Sequence, residues 1–163
     1  LILFEHLSAP LPMSDMRIPP VYEAVTRQVP GDYTLLDIPV AWRNGSRVTG
    51  TEDTIIMFEQ YYQTAHERPT ATGHVSRPPA GAYNFIEANA LLRSMKEQRR
   101  PDSQNDTAAD LNALAEAGVR YLVVHKGELD AEELAAIRSA IPVNPVHDDE
   151  NLIIYATDVV TSN

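Results

Sequence analysis

An α/β fold, a helix-covered mixed sheet with Rossmann-like layering but no dinucleotide motif, is what this 163-residue sequence predicts. Three observations carry that expectation. Strand-like and helix-like segments alternate along the chain, the pattern of a sheet covered by helices. Helix starts in the second half are marked by a cap residue with an acid three positions later. Prolines fall unevenly, nine of the twelve lying at or before Pro79. The length is that of one domain, and the prolines divide it into a loop-rich half, 1–83, and a regular half, 84–163.

Residues 1–7 are short, apolar and followed by Pro10 and Pro12, which suits a buried strand. Pro19-Pro20 opens a short helix through Val25, since a first helical turn tolerates proline. Residues 33–38 read as a strand ending at Pro39. The polar stretch from Trp42 to Asp53, with the turn dipeptide Asn44-Gly45, reads as an exposed loop. Between Thr54 and Ala65, apolar residues recur at helical spacing, although their β-branched and aromatic character leaves a strand open. An ordered loop is expected from His66 to Tyr83.

Asn84-x-x-Glu87 looks like a capping box for a helix of about four turns that ends before Pro101. Thr107-x-x-Asp110 opens a second helix, with Gly118 as its left-handed stop. Residues 119–125 form a strand, central because four apolar residues run together in its middle. Asp130-x-x-Glu133 caps a third helix, stopped by Pro142. Residues 143–147 and 152–156 close the chain as a strand pair around an acidic turn.

Composition excludes several functions. Thirteen Lys+Arg against twenty-three Asp+Glu leave a net charge of −10, which neither a nucleic-acid backbone nor an anionic membrane face attracts. The chain has no cysteine, so disulfides, thiol catalysis and thiolate-held metals are out. No apolar stretch approaches the roughly 18 residues needed to span a bilayer. The phosphate-loop, dinucleotide, nucleophile-elbow and zincin motifs are all absent.

Polar chemistry concentrates between Tyr61 and Pro79. Gln63, His66, His74, Ser76 and Arg77 crowd this stretch, and Arg77 offers a planar fork for carboxylate or phosphate. These residues either line a polar pocket or hydrogen-bond loop carbonyls and a carboxylate such as Asp37, pinning the loop to the sheet. Trp42 either stacks on a sugar or plugs the core edge. His125 ends the central strand, where α/β sheets place ligands, though a half-buried histidine with one satisfied nitrogen is the commoner outcome. A metal held by His66, His74 and Asp37 or His125 is chemically conceivable, but no spacing demands it, so no metal and no cofactor are expected. Asp148-Asp149-Glu150 reads as a solvated hairpin tip.

Asp37-Ile-Pro39, Tyr61-Tyr62-Gln63-Thr64-x-His66-x-x-Pro69, Gly73-x-x-Ser76-Arg77-x-Pro79 and Gly118-Val-Arg-Tyr-Leu-Val-Val-His125 together resemble the C-terminal domain of bacterial polytopic membrane proteins related to the C-type glycosyltransferases. In that family a helical membrane bundle, similar to mannosyltransferases and oligosaccharyltransferases, precedes an extracytoplasmic α/β domain of about this size. The resemblance implies a non-catalytic accessory domain at the extracytoplasmic face of the bacterial membrane. Its partners would be its own transmembrane region and a glycan or polyprenyl-phosphate sugar. It also implies that the catalytic acid lies in the membrane portion, so no catalytic residue is assigned here. The ligand-binding candidates are Gln63, His66, His74, Ser76, Arg77, Asp37 and Trp42. A start at Leu1 rather than Met fits a piece excised from a longer membrane protein. Two alternatives stand beside this reading: a structural or protein-interaction domain docking on its membrane bundle, and a stand-alone metal-assisted hydrolase using His66 or His74 with Asp37.

Overall fold

The computed structural model describes residues 17–27, 29–43, 48–50, 55–74, 76 and 81–158. In chain order its elements are a π-helical segment α1 (Tyr22–Arg27), β1 (Thr34–Ile38), β2 (Ala41–Arg43), β3 (Val48–Gly50), α2 (Ile55–His66) and β4 (Gly73–His74). There follow α3 (Gly81–Ala88), α4 (Ala90–Gln98), α5 (Thr107–Glu116), β5 (Val119–His125), a 3-10 turn (Lys126–Glu128), α6 (Ala131–Ala140), β6 (His147–Asp148) and β7 (Leu152–Ala156). The main sheet runs β1-β5-β7-β6, and a small second sheet runs β3-β2-β4. β1 and β5 are parallel, whereas β7 is antiparallel to both β5 and β6. The fold is therefore α/β with a mixed sheet, as the alternation of segments predicts.

The sheet is covered on both faces, which is why β5 reads as an unbroken apolar run. On one face Leu36, Ile38, Leu122, Val124, Ile153 and Tyr155 pack in a single cluster with residues of α3 to α6, among them Ile86, Leu92, Met95, Leu111, Leu114 and Ile137. On the other, Leu35, Tyr121, Val123, Leu152 and Ile154 pack with Tyr22 of α1 and Tyr62 of α2. The pleat assigns residues to faces: alternate positions of a strand point to opposite sides. Asp37 lies two residues beyond Leu35 and His125 two beyond Val123, so both share the second face.

Capping explains where the helices of the second half begin. Asp130 and Glu133 form both bonds of a capping box, at 2.8 Å each. Gly118 takes φ +86° between α5 and β5, the left-handed stop predicted for it. Two expected starts are corrected. Asn84 lies inside α3, and the single long helix expected there is two, broken at Asn89, whose side chain accepts from Leu92 N at 3.0 Å to cap α4. α5 is capped by Asp106 rather than Thr107, because the Asp106 carboxylate reaches Ala109 N at 3.1 Å.

The segment expected as a loop after Trp42 contributes β2 and β3 instead. Their pairing places Gly50 against Val40, where a Cβ would lie 1.9 Å from the Val40 carbonyl oxygen, so only glycine fits at that φ of +87°. The loop expected from His66 to Tyr83 likewise contains β4 and the start of α3. The strand expected over residues 1–7 and the Asn44-Gly45 turn lie outside the described residues. No helix among the described residues is long and apolar enough to cross a membrane.

Candidate functional site

The parallel strands β1 and β5 bring Asp37, next to last in β1, and His125, last in β5, to the same end of the sheet. Ligands of α/β proteins gather at this end, where strand carboxyl termini open toward solvent. His125 Nε2 lies 3.0 Å from Asp37 Oδ1, two side chains brought together across 88 positions of sequence. Tyr22 adds its hydroxyl from α1, donating to Asp37 Oδ1 at 3.4 Å and lying 3.3 Å from His125 Nε2.

Helix α2 closes the face. Ile55, Glu59, Tyr62 and His66 recur at helical spacing and are all buried. That stripe carries an acid, Glu59, into the interior beside Asp37, where Thr72 Oγ1 donates to Glu59 Oε2 at 3.0 Å. Asp37 and Glu59 are each 1% exposed, and Asp37 Oδ2 and Glu59 Oε1 have no hydrogen-bond partner among the described residues. Burial, reinforced by the negative charge of Asp37, holds the Glu59 carboxyl well above the usual carboxylate range. The Tyr22 hydroxyl is pushed up by the same burial and by both acids. His66 moves the other way: burial lowers its pKa, Arg68 adds to that, and Asp37 opposes it. Its Nδ1 accepts from Arg68 N at 3.1 Å, so the proton of the neutral ring sits on Nε2. Aromatic rings fill the remaining space, with Tyr22 5.3 Å from Tyr62 and 5.2 Å from His66, and Tyr62 stacked on His125 at 6.1 Å.

A cleft of about 680 Å³ opens above this cluster, with His125 and Tyr62 among its lining and Glu128, Asp149, Glu150 and Asn151 contributing polar groups. Asp37 and Glu59 lie behind it. Asp149 is partly committed already: its Oδ1 accepts from Asn151 N and Leu152 N, both at 2.8 Å, and its Oδ2 lies 2.9 Å from His147. Asp148 is turned away to Arg138 and Lys126, whose cations lower its pKa to about 2. The acidic hairpin tip is thus tied down by ion pairs rather than merely solvated.

The candidates named from sequence scatter across this architecture. Asp37 and His66 belong to the buried face, Asp37 in the cluster and His66 against the Tyr22 ring. Gln63 Nε2 donates to Arg68 O at 2.9 Å, closing the end of α2 onto the loop that follows. Arg68 in turn holds that loop by donating to Gly31 O and Val29 O at 2.8 Å each. His74 Nδ1 lies 3.1 Å from Met57 Sδ on the outer side of α2. Trp42 Nε1 donates to Ala71 O at 2.7 Å, and its ring packs against the apolar cluster at the core edge. Ser76 is exposed, and Arg77 lies outside the described residues. Glu59 and Tyr22 were not singled out from sequence. The signal for Glu59 was present as an acid in the 55, 59, 62, 66 stripe; nothing in the sequence signals the reach of Tyr22.

No protein family, no curated protein and no solved structure matches this chain.

Proposed function

We propose that this chain is a non-catalytic, glycan-binding accessory domain on the extracytoplasmic side of a membrane glycosyltransferase-like protein, and that the cleft above His125 is where the sugar lies. The observation that supports the reading is the cleft's chemistry at the strand ends. It has an aromatic floor, where Tyr62 stacks with His125, and side walls carrying Glu128, Glu150 and Asn151. Aromatic faces pack on the apolar faces of sugar rings, while carboxylates and amides accept and donate to hydroxyl groups.

Charge narrows the ligand. Glu128, Asp149 and Glu150 line the cleft, with Arg17 the one lysine or arginine among its described lining residues, on a chain of net charge −10. A bare phosphate would be repelled there. The reading therefore favours the neutral saccharide part of a lipid-linked sugar, with the phosphate lying outside the cleft.

Titration of the isotope-labelled chain with methyl α-mannoside, and in parallel with mannose 1-phosphate, tests this. Expected are saturable amide shifts at Tyr62, His125 and Asn151 at millimolar mannoside, weakened by Asn151→Ala and no stronger with the phosphorylated sugar. Silence at those amides with both sugars would remove the binding role.

A further inference from the structure

We infer that Asp37, Glu59 and His125 form a binding site for a first-row divalent cation, of the Zn²⁺ or Mn²⁺ class, beneath the cleft. One donor atom from each of the three lies within 4.8 Å of the other two. The inference stands on this geometry and not on the sugar reading.

The first support is an unbalanced interior. Two carboxylates that are each 1% exposed share one buried space. Among the described residues neither pairs with a lysine or arginine, and His125 is the single basic group bonded to Asp37. A buried carboxyl is costly to ionise, and buried polar atoms are nearly always bonded. Here Asp37 Oδ2 and Glu59 Oε1 both lack a partner among the described residues. A cation between them removes both deficits at once.

The second support is how the carboxylates are held. Each has one oxygen fixed by a hydroxyl, Asp37 Oδ1 by Tyr22 at 3.4 Å and Glu59 Oε2 by Thr72 at 3.0 Å, while the other oxygen is left over. Outer hydrogen bonds that orient a ligand while leaving a lone pair free are the usual surroundings of metal-bound carboxylates. Spacing agrees as well. Ligand atoms about 2.0 to 2.1 Å from a tetrahedral ion lie about 3.3 Å apart, and one donor atom from each of the three residues already lies within 4.8 Å of the other two. The donor atoms have to close by less than about 2 Å, the reach of small χ changes, to complete the triangle.

Ligand type selects the ion. One imidazole nitrogen and two carboxylates suit Zn²⁺ or Mn²⁺, whereas Ca²⁺ requires six to eight oxygens. Three protein ligands leave a coordination position open, and His125 is the ligand that reaches the cleft lining.

Calorimetric titration of the metal-free chain with Zn²⁺ and with Mn²⁺ tests the site, with Glu59→Gln as the ligand-removing variant. His147→Asn serves as the comparison at the exposed His147–Asp149 pair. The expected result is one ion per chain, a raised Tm on loading, and an affinity lowered about tenfold or more by Glu59→Gln but unchanged by His147→Asn. Should Glu59→Gln fail to fold, Mn²⁺ on the unmodified chain supplies the readout: resonances of His125 and Tyr62 broaden before those of His147. Absence of binding, or binding lost with His147→Asn and kept with Glu59→Gln, would overturn the site while leaving the sugar reading to its own titration.

Discussion

The two faces of the main sheet are built from the same strands and follow different rules. Leu36, Ile38, Leu122 and Val124 pack with α3 to α6 in a cluster of apolar residues and Tyr155. On the opposite face the pleat that begins with Leu35 and Val123 ends in Asp37 and His125, and the helix above supplies Glu59. The first face stabilises the fold by excluding water, at about 1.5 to 3 kcal/mol for each large side chain fully buried. The second gives up part of that gain to keep ionisable groups out of solvent. One face is built for cohesion, and the other keeps a buried cluster of ionisable groups at the strand ends.

The sharpest way to break this comparison is to truncate each face in turn. Leu122→Ala should cost about 2 to 5 kcal/mol, because a central strand between helices cannot collapse onto the lost volume. Asp37→Asn, on the opposite face, should cost the metal-free chain clearly less than Leu122→Ala, because the amide oxygen still accepts from Tyr22 and a negative charge is removed from beside Glu59. Urea unfolding of both variants measures the contrast; equal losses would mean that the polar face is as cohesive as the apolar one. A smaller effect separates the hydroxyl from the ring of Tyr22. Tyr22→Phe keeps the stacking with Tyr62 and His66 but removes the donor to Asp37, and should cost about 1 kcal/mol. A neutral result would place the Tyr22 contribution in its ring alone.

Sequence exposed the apolar face far better than the polar one, for physical reasons. β5 is legible because Tyr121 to Val124 form an apolar run behind a glycine stop, and α6 because Asp130 and Glu133 cap each other within four residues. Such signals are local. Asp37 and His125 were each visible as polar residues at strand ends, but their 3.0 Å contact depends on the β1–β5 register, which brings together positions 88 apart. Glu59 stands among apolar neighbours in α2, where the aromatics set the periodicity and mask an acid inside the buried stripe. Local polar density misled in the stretch from Gln63 to Ser76. There Gln63 and Arg68 are spent on loop carbonyls, while the cluster formed elsewhere.

The smallest effect expected is also the one that tells the faces apart by pH. Burial lowers the His66 pKa, so the unfolded chain takes up this proton at higher pH than the folded one. The stability contributed by neutral His66 is therefore complete above about pH 6.5, the ordinary imidazole value, and drains away as pH falls through the lower folded value. His66→Gln, which keeps an acceptor for Arg68 N, should flatten the decline in stability between neutral and mildly acidic pH. Leu122→Ala, whose neighbours in the apolar cluster carry no imidazole or carboxylate, should lower stability by the same amount at every pH. Denaturation midpoints across that range measure both. A pH-dependent loss for Leu122→Ala, or an unchanged slope for His66→Gln, would mean that protons act on the sheet as a whole and not through the face that carries the cluster.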